Sequence, residues 1–114
     1  MAVAQIPRSR WREFLDSFNR VHRGWLISVH AGSTASAFMH DVPLASVEAD
    51  EDDIVVCAVR GREHTDHRVS RVAALRLEQT PDGADRQLEI VPESGDIVRV
   101  RFRSAIRSEL VDGV

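Results

Sequence analysis

The chain of 114 residues contains no lysine, no tyrosine and a single cysteine. One cysteine excludes an internal disulfide and a cysteine-rich zinc site, so the composition fits a reducing compartment and the expected location is cytoplasmic. Long apolar runs are missing as well. The longest, Ile54 to Val59, falls far short of the roughly 20 residues that span a bilayer. Met1 to Ile6 has neither the basic start nor the extended apolar stretch of an export signal, so no membrane association is expected. With all fifteen basic residues arginine and a net charge of -3, there is no general nucleic-acid footprint. The length suits one domain, 1–114, and excludes a dinucleotide fold with a separate substrate domain.

What is present reads as one helix followed by strands. From about 8 to 23, Trp11, Phe14, Leu15, Phe18 and His22 follow the i, i+3, i+4, i+7 spacing of an amphipathic helix. Pro7 suits its start and Gly24 the left-handed residue just past its end. From 25 to 103 the period changes to that of antiparallel strands, and 104–114 reads as a tail with one or two helical turns, or as a frayed end. Trp25 to His30 is a strand, Ala31 to Ser36 a small polar hairpin tip, and Ala37–Asp41 and Leu44–Ala49 are weaker strands, the second entered through Pro43. The acidic run Asp50 to Asp53 is a charged turn. The continuous apolar run Ile54–Val59 predicts a central strand buried on both faces, with Cys57 as core filler.

Three strands of a meander close the sequence, carrying Leu75 and Leu77, Leu88 and Ile90, then Val98, Val100 and Phe102. If Ile90 faces Val98 and Leu77 faces Leu88, antiparallel register sets Glu89 opposite Arg99 on one side and Arg76 on the other.

Few residues offer chemistry. His64, Asp66 and His67 supply nitrogen and oxygen ligands within four positions, but on a strand His64 and Asp66 share a face while His67 points away. Further ligands would have to come from His30, His40 or the acidic turn, which itself lacks EF-hand spacing. His22 falls in the middle of the helix's apolar face, where it can pack on Phe18 and Trp25 and donate to a backbone carbonyl; the same position leaves room for a ligand-contacting or pH-sensing role. Arg99, Arg101 and Arg103 form a basic stripe without stacking aromatics, and nearby Glu78, Glu89 and Glu93 offset it. Ser33 and Ser36 lack a nucleophile elbow, and Gly32 alone is no phosphate loop.

At Ile6-Pro7-Arg8, Trp11, Phe14-Leu15-Asp16, Phe18 and His22-Arg23-Gly24-Trp25-Leu26, the sequence resembles an uncharacterised family of short bacterial proteins classed as a domain of unknown function. The likeness returns at Asp66-His67, Val69, Arg76-Leu77, Asp82 to Asp85, Leu88-Glu89-Ile90 and Arg101-Phe102-Arg103. The resemblance implies a single-domain protein of similar length. It carries over no activity, cofactor or catalytic residue.

The expected fold is α+β: an N-terminal amphipathic helix packed on a curved, mostly antiparallel sheet, or small barrel, of six to eight short strands. Its core is expected to draw on Trp11, Phe14, Leu15, Phe18, Trp25, Ile27, Val56, Leu75, Leu77, Leu88, Ile90, Val98, Val100 and Phe102. With no paired carboxylates in a reaction motif, no nucleophile arrangement and no cofactor fingerprint, the favoured function is a non-enzymatic binding or protein-interaction module. Its partner is another protein or a second copy, because an open sheet has edges that must be covered or paired. Two alternatives stand beside it: a small enzyme or metal-binding protein using His64, Asp66 and His67, and a small-molecule site near His22 and Trp25.

Overall fold

Proline at position 7 separates the first two elements. With φ -58° and ψ 142° it stays extended, ending strand β1 (Ala2–Ile6) and admitting a 3-10 turn, Arg8–Arg10, that runs into helix α1 (Trp11–His22). The helix ends where Arg23 turns extended and Gly24 takes φ +88°, a conformation that costs glycine little. The computed structural model describes residues 2–32 and 37–106. The 33–36 hairpin tip with Ser33 and Ser36, and the end of the tail with Leu110 and Val111, lie outside the described residues.

Seven further strands follow: β2 (Leu26–Ala31), β3 (Ala37–Asp50), β4 (Asp53–Arg60), β5 (Glu63–Val69), β6 (Val72–Gln79), β7 (Asp85–Pro92) and β8 (Val98–Ile106). All pairs are antiparallel. The order β1-β6-β7-β8-β2-β3-β4-β5 leaves β1 and β5 as the two ends of an open sheet. Among the described residues the fold is thus one α-helix with an eight-stranded antiparallel sheet. The last three strands take the register expected of them: Ile90 faces Val98, Leu77 faces Leu88, and Glu89 lies between Arg76 and Arg99.

Several local expectations are corrected. Residues 2–6 form a strand outside the expected 25–103 strand range, and regular α-helix begins at Trp11 and not at 8. The two weak strands around Pro43 are one bent strand, β3, with Asp41 at φ 48° and register shifts on both sides of the bend. Strand β8 continues to Ile106, into what reads as tail. The apolar run of β4 is not buried on both faces: Ile54, Val56 and Ala58 are buried while Val55, Cys57 and Val59 are half-buried on the other side.

The helix covers an edge that β2 vacates. Pairing of β2 with β3 stops at Leu26 and Pro43, and beyond it the backbone of β3 is met by α1 and its exit. Gly24 N–H donates to Leu44 O at 2.8 Å and Leu44 N–H to Trp25 O at 2.9 Å. Next along, Asn19 uses both ends of its amide on one residue: Nδ2 donates to Val47 O at 3.0 Å, and Oδ1 accepts from Val47 N–H at 2.8 Å. Asn19 is buried, so the amide does for β3 what a neighbouring strand would do. With this anchor, Trp11, Leu15 and Phe18 join the buried face formed by Ile27, Val29, Leu44, Val47, Ile54, Val56, Leu75, Leu88, Ile90, Val100 and Phe102. Phe14, Trp25 and Leu77 pack against this core half-buried.

Candidate functional site

Strand β5 carries the histidine-rich segment at one end of the sheet. The two-residue turn Gly61-Arg62 sets Arg60 against Glu63, and the register then runs without a shift to Ile54 against Val69. Side-chain alternation puts His64 and Asp66 on the outer face, opposite Val59 and Cys57, and His67 on the inner face, opposite Val56. Residues 63–66 and Arg68 are exposed; His67 is half-buried, and burial pushes its ring below the ordinary histidine value. The three candidate ligands therefore do not converge. Among the described residues no three His, Cys, Asp or Glu side chains are grouped to hold a metal.

Cys57 is not core filler. It lies on the outer face of β4 between Ser46 of β3 and Asp66 of β5, half-buried. Burial pushes its thiol pKa up; a hydrogen bond from Ser46 works against that, while the bond to Asp66 and the charges of Asp66 and Glu48 add to it. A thiol so held is a weak nucleophile. Below it, Arg68 bridges Asp53 at 2.8 Å and Asp50 at 3.1 Å. The Arg68 hydrogen bond, followed by that from Arg71 N–H, lowers the Asp53 carboxyl.

The second centre lies between helix and sheet. His22 Nδ1 donates to Phe18 O at 2.8 Å, and Nε2 lies 2.8 Å from Asp85 Oδ2. Gln79 Nε2 donates to the other Asp85 oxygen at 2.7 Å. Phe18, Trp25 and Phe102 pack around the imidazole, with ring centroids 4.3, 4.4 and 4.7 Å from it, Phe102 stacked and Trp25 edge-on. Packing on Phe18 and Trp25 and the donation to a backbone carbonyl match the sequence reading of His22. Asp85 does not follow from that reading, which names no carboxylate partner for His22. Only 3% of His22 and 8% of Asp85 is exposed. A histidine and a carboxylate are the parts of an acid–base pair, but here both ring nitrogens are engaged and the rings exclude a substrate.

The basic stripe is divided. Arg99 is tied to Glu89 at 3.2 Å and to Gly32 O at 3.1 Å, while Arg101 and Arg103 are exposed on the same face of β8. A groove of about 390 Å³ runs between α1 and β3, bordered by Arg12, Asp16, Asn19, Glu48 and Ala49. Its charges are mixed, so it selects no ion of one sign, and neither His22 nor Trp25 lines it. No helix among the described residues is long and apolar enough to cross a membrane.

Compared with family models, curated proteins and solved structures, the chain matches none. Function has to be argued from the site.

Proposed function

We propose that the protein is a small, non-enzymatic cytoplasmic binding module that engages another polypeptide by strand pairing at the open β5 edge. The observation that carries this is the regularity of that edge. Seven residues pair with β4 without a bulge, contain no proline, and are exposed along most of their length. Natural edge strands are ordinarily short, bulged, proline-interrupted or covered, because an open one is a template for another chain. The opposite end, β1, is five residues long. The enzyme reading finds less support, since the His22–Asp85 pair is sealed and the histidines of β5 face opposite ways.

The test is a photo-crosslinking amino acid at position 64 in cells that naturally make the protein, with the exposed position 101 of β8 as control. A polypeptide adduct of defined mass at 64 and none at 101 is the expected result. Equal labelling at both positions, or none at 64, overturns the reading.

A further inference from the structure

We infer that the β5 edge pairs with a second copy of the chain, antiparallel across a two-fold axis at Thr65; this rests on the proposal that β5 is the binding edge. The argument begins with which backbone groups are open. A two-residue hairpin makes its flanking residues a hydrogen-bonded pair, so Arg60 and Glu63 exchange bonds, and alternation directs Glu63, Thr65, His67 and Val69 toward β4. The turn at the other end of β4 agrees: Asp50 and Asp53 flank two residues, which directs Val47 away from β4, where Asn19 meets it, and Ile54 toward Val69. The N–H and C=O groups of His64, Asp66 and Arg68 therefore face the open side of β5, which among the described residues pairs with β4 alone.

A symmetric partner must join these residues to one another, and few registers are available. Pairing Asp66 with the partner's Asp66 sets like charges opposite, and pairing Asp66 with the partner's Arg68 brings His67 against the partner's His67. The register centred on Thr65 is different. It sets His64 opposite the partner's Asp66 on the outer face and Glu63 opposite the partner's His67 on the inner face, each occurring twice by symmetry. Thr65 meets the partner's Thr65 on the axis as a close, non-hydrogen-bonded pair. When the segment Glu63-His64-Thr65-Asp66-His67 is reversed about its centre, each carboxylate falls opposite an imidazole. At the ends Arg62 falls opposite the partner's Arg68, whose charge Asp50 and Asp53 already offset. A two-fold interface must be self-complementary, and of these three registers the one centred on Thr65 meets that condition.

Cysteine scanning in full-length protein with Cys57→Ser reads both the association and its register. Across a close antiparallel pair the Cα atoms lie about 4.5 Å apart, within disulfide reach, whereas residues two positions out of register lie beyond about 7 Å. Thr65→Cys is expected to give a covalent dimer on mild oxidation, while His64→Cys and Asp66→Cys alone do not. In analytical ultracentrifugation without crosslinking, His64→Asp is expected to weaken dimerisation by about tenfold or more, since it alters two pairs by symmetry. His64→Asp with Asp66→His restores it. Asp66→Pro removes an outward N–H and the side-chain bond to Cys57 but none of the backbone bonds that join β5 to β4, so the chain should stay folded by circular dichroism and become monomeric. Crosslinking strongest at 66 or 67, a dimer indifferent to Asp66→Pro, or wild-type protein monomeric at every concentration overturns the inference. If position 64 meanwhile crosslinks to a different polypeptide in cells, the binding-module reading stands and only self-pairing falls.

Discussion

His22 and Asp85, 63 positions apart in the chain, meet at 2.8 Å inside the protein. Nδ1 faces the Phe18 carbonyl, which can only accept, so Nδ1 carries a proton. On the other side of the ring Nε2 and Oδ2 share a hydrogen bond. Gln79 satisfies the remaining carboxylate oxygen. The pair fastens the last turn of α1 to the first residue of β7.

Removing one partner is therefore costly. Asp85→Ala leaves a buried Nε2 and the Gln79 amide unpaired, and the expected loss is about 3–5 kcal/mol of unfolding free energy. Asp85→Asn keeps the shape and a polar partner for both His22 and Gln79, so its loss is expected to be about 1–3 kcal/mol. Urea denaturation of the two variants checks this. Equal losses would show that packing, and not the contact with His22, is what Asp85 contributes.

Acid should remove the same contribution. Burial raises the Asp85 carboxyl, but hydrogen bonds from His22 and Gln79, with the charge of His22, outweigh it and hold the group below its ordinary value. A carboxyl lower in the folded than in the unfolded chain stabilises above its unfolded pKa of about 3.9, and the benefit disappears as pH falls through the folded value. The stability gap between wild type and Asp85→Asn is thus expected to narrow from about pH 5 downward. Urea midpoints at pH 5, 4 and 3 measure it; a gap that widens in acid would refute the assignment.

How much of this was legible in the sequence depends on whether a local period or a long-range register decides the matter. The apolar stripe of α1 and the Arg76–Glu89–Arg99 row follow from period and turn spacing alone, and both are found. So is the separation of His67 from His64 and Asp66, which needs only strand parity. Asp85 was hidden because register shifts in both adjoining pairings, between Glu78 and Gln79 and between Asp85 and Gln87, break the parity that would predict its direction. Cys57 misled because an apolar run on a strand reads as doubly buried, whereas the outer face of β4 stays partly open to solvent. Asn19 had a signal: it lies four residues after Leu15 and eight after Trp11, on the buried row of the helix.

That row makes Asn19 the next residue to change. Asn19→Ala is expected to cost about 1–3 kcal/mol, because Val47 loses a donor and an acceptor together at a buried edge. Asn19→Asp should be no better, since a carboxylate can accept from Val47 N–H but repels Val47 O. Amide exchange at Val47 gives a direct readout: it should accelerate in both variants while amides in β7 and β8 keep their protection. Unchanged exchange at Val47 would mean that the amide clamp does not hold the helix to β3.

The Arg76–Glu89–Arg99 charge row should be uneven in strength. Glu89 lies between two arginines, but Arg99 Nε donates to it at 3.2 Å, whereas Arg76 Nε stands off at 3.5 Å and, though buried, makes no hydrogen bond. Both arginine side chains are about one-third exposed, against 14% for Glu89, so each pair falls in the cross-strand range of about 0.2–1 kcal/mol. Double-mutant cycles by urea denaturation, using Glu89→Ala with Arg99→Ala and with Arg76→Ala, should place the Arg99 coupling above the Arg76 coupling. Raising salt to about 1 M, where the screening length falls to about 3 Å, should reduce both couplings, and the Arg76 pair more because it lacks a hydrogen bond. A larger coupling to Arg76 would mean that proximity of charge, and not hydrogen-bond geometry, sets the strength of this row.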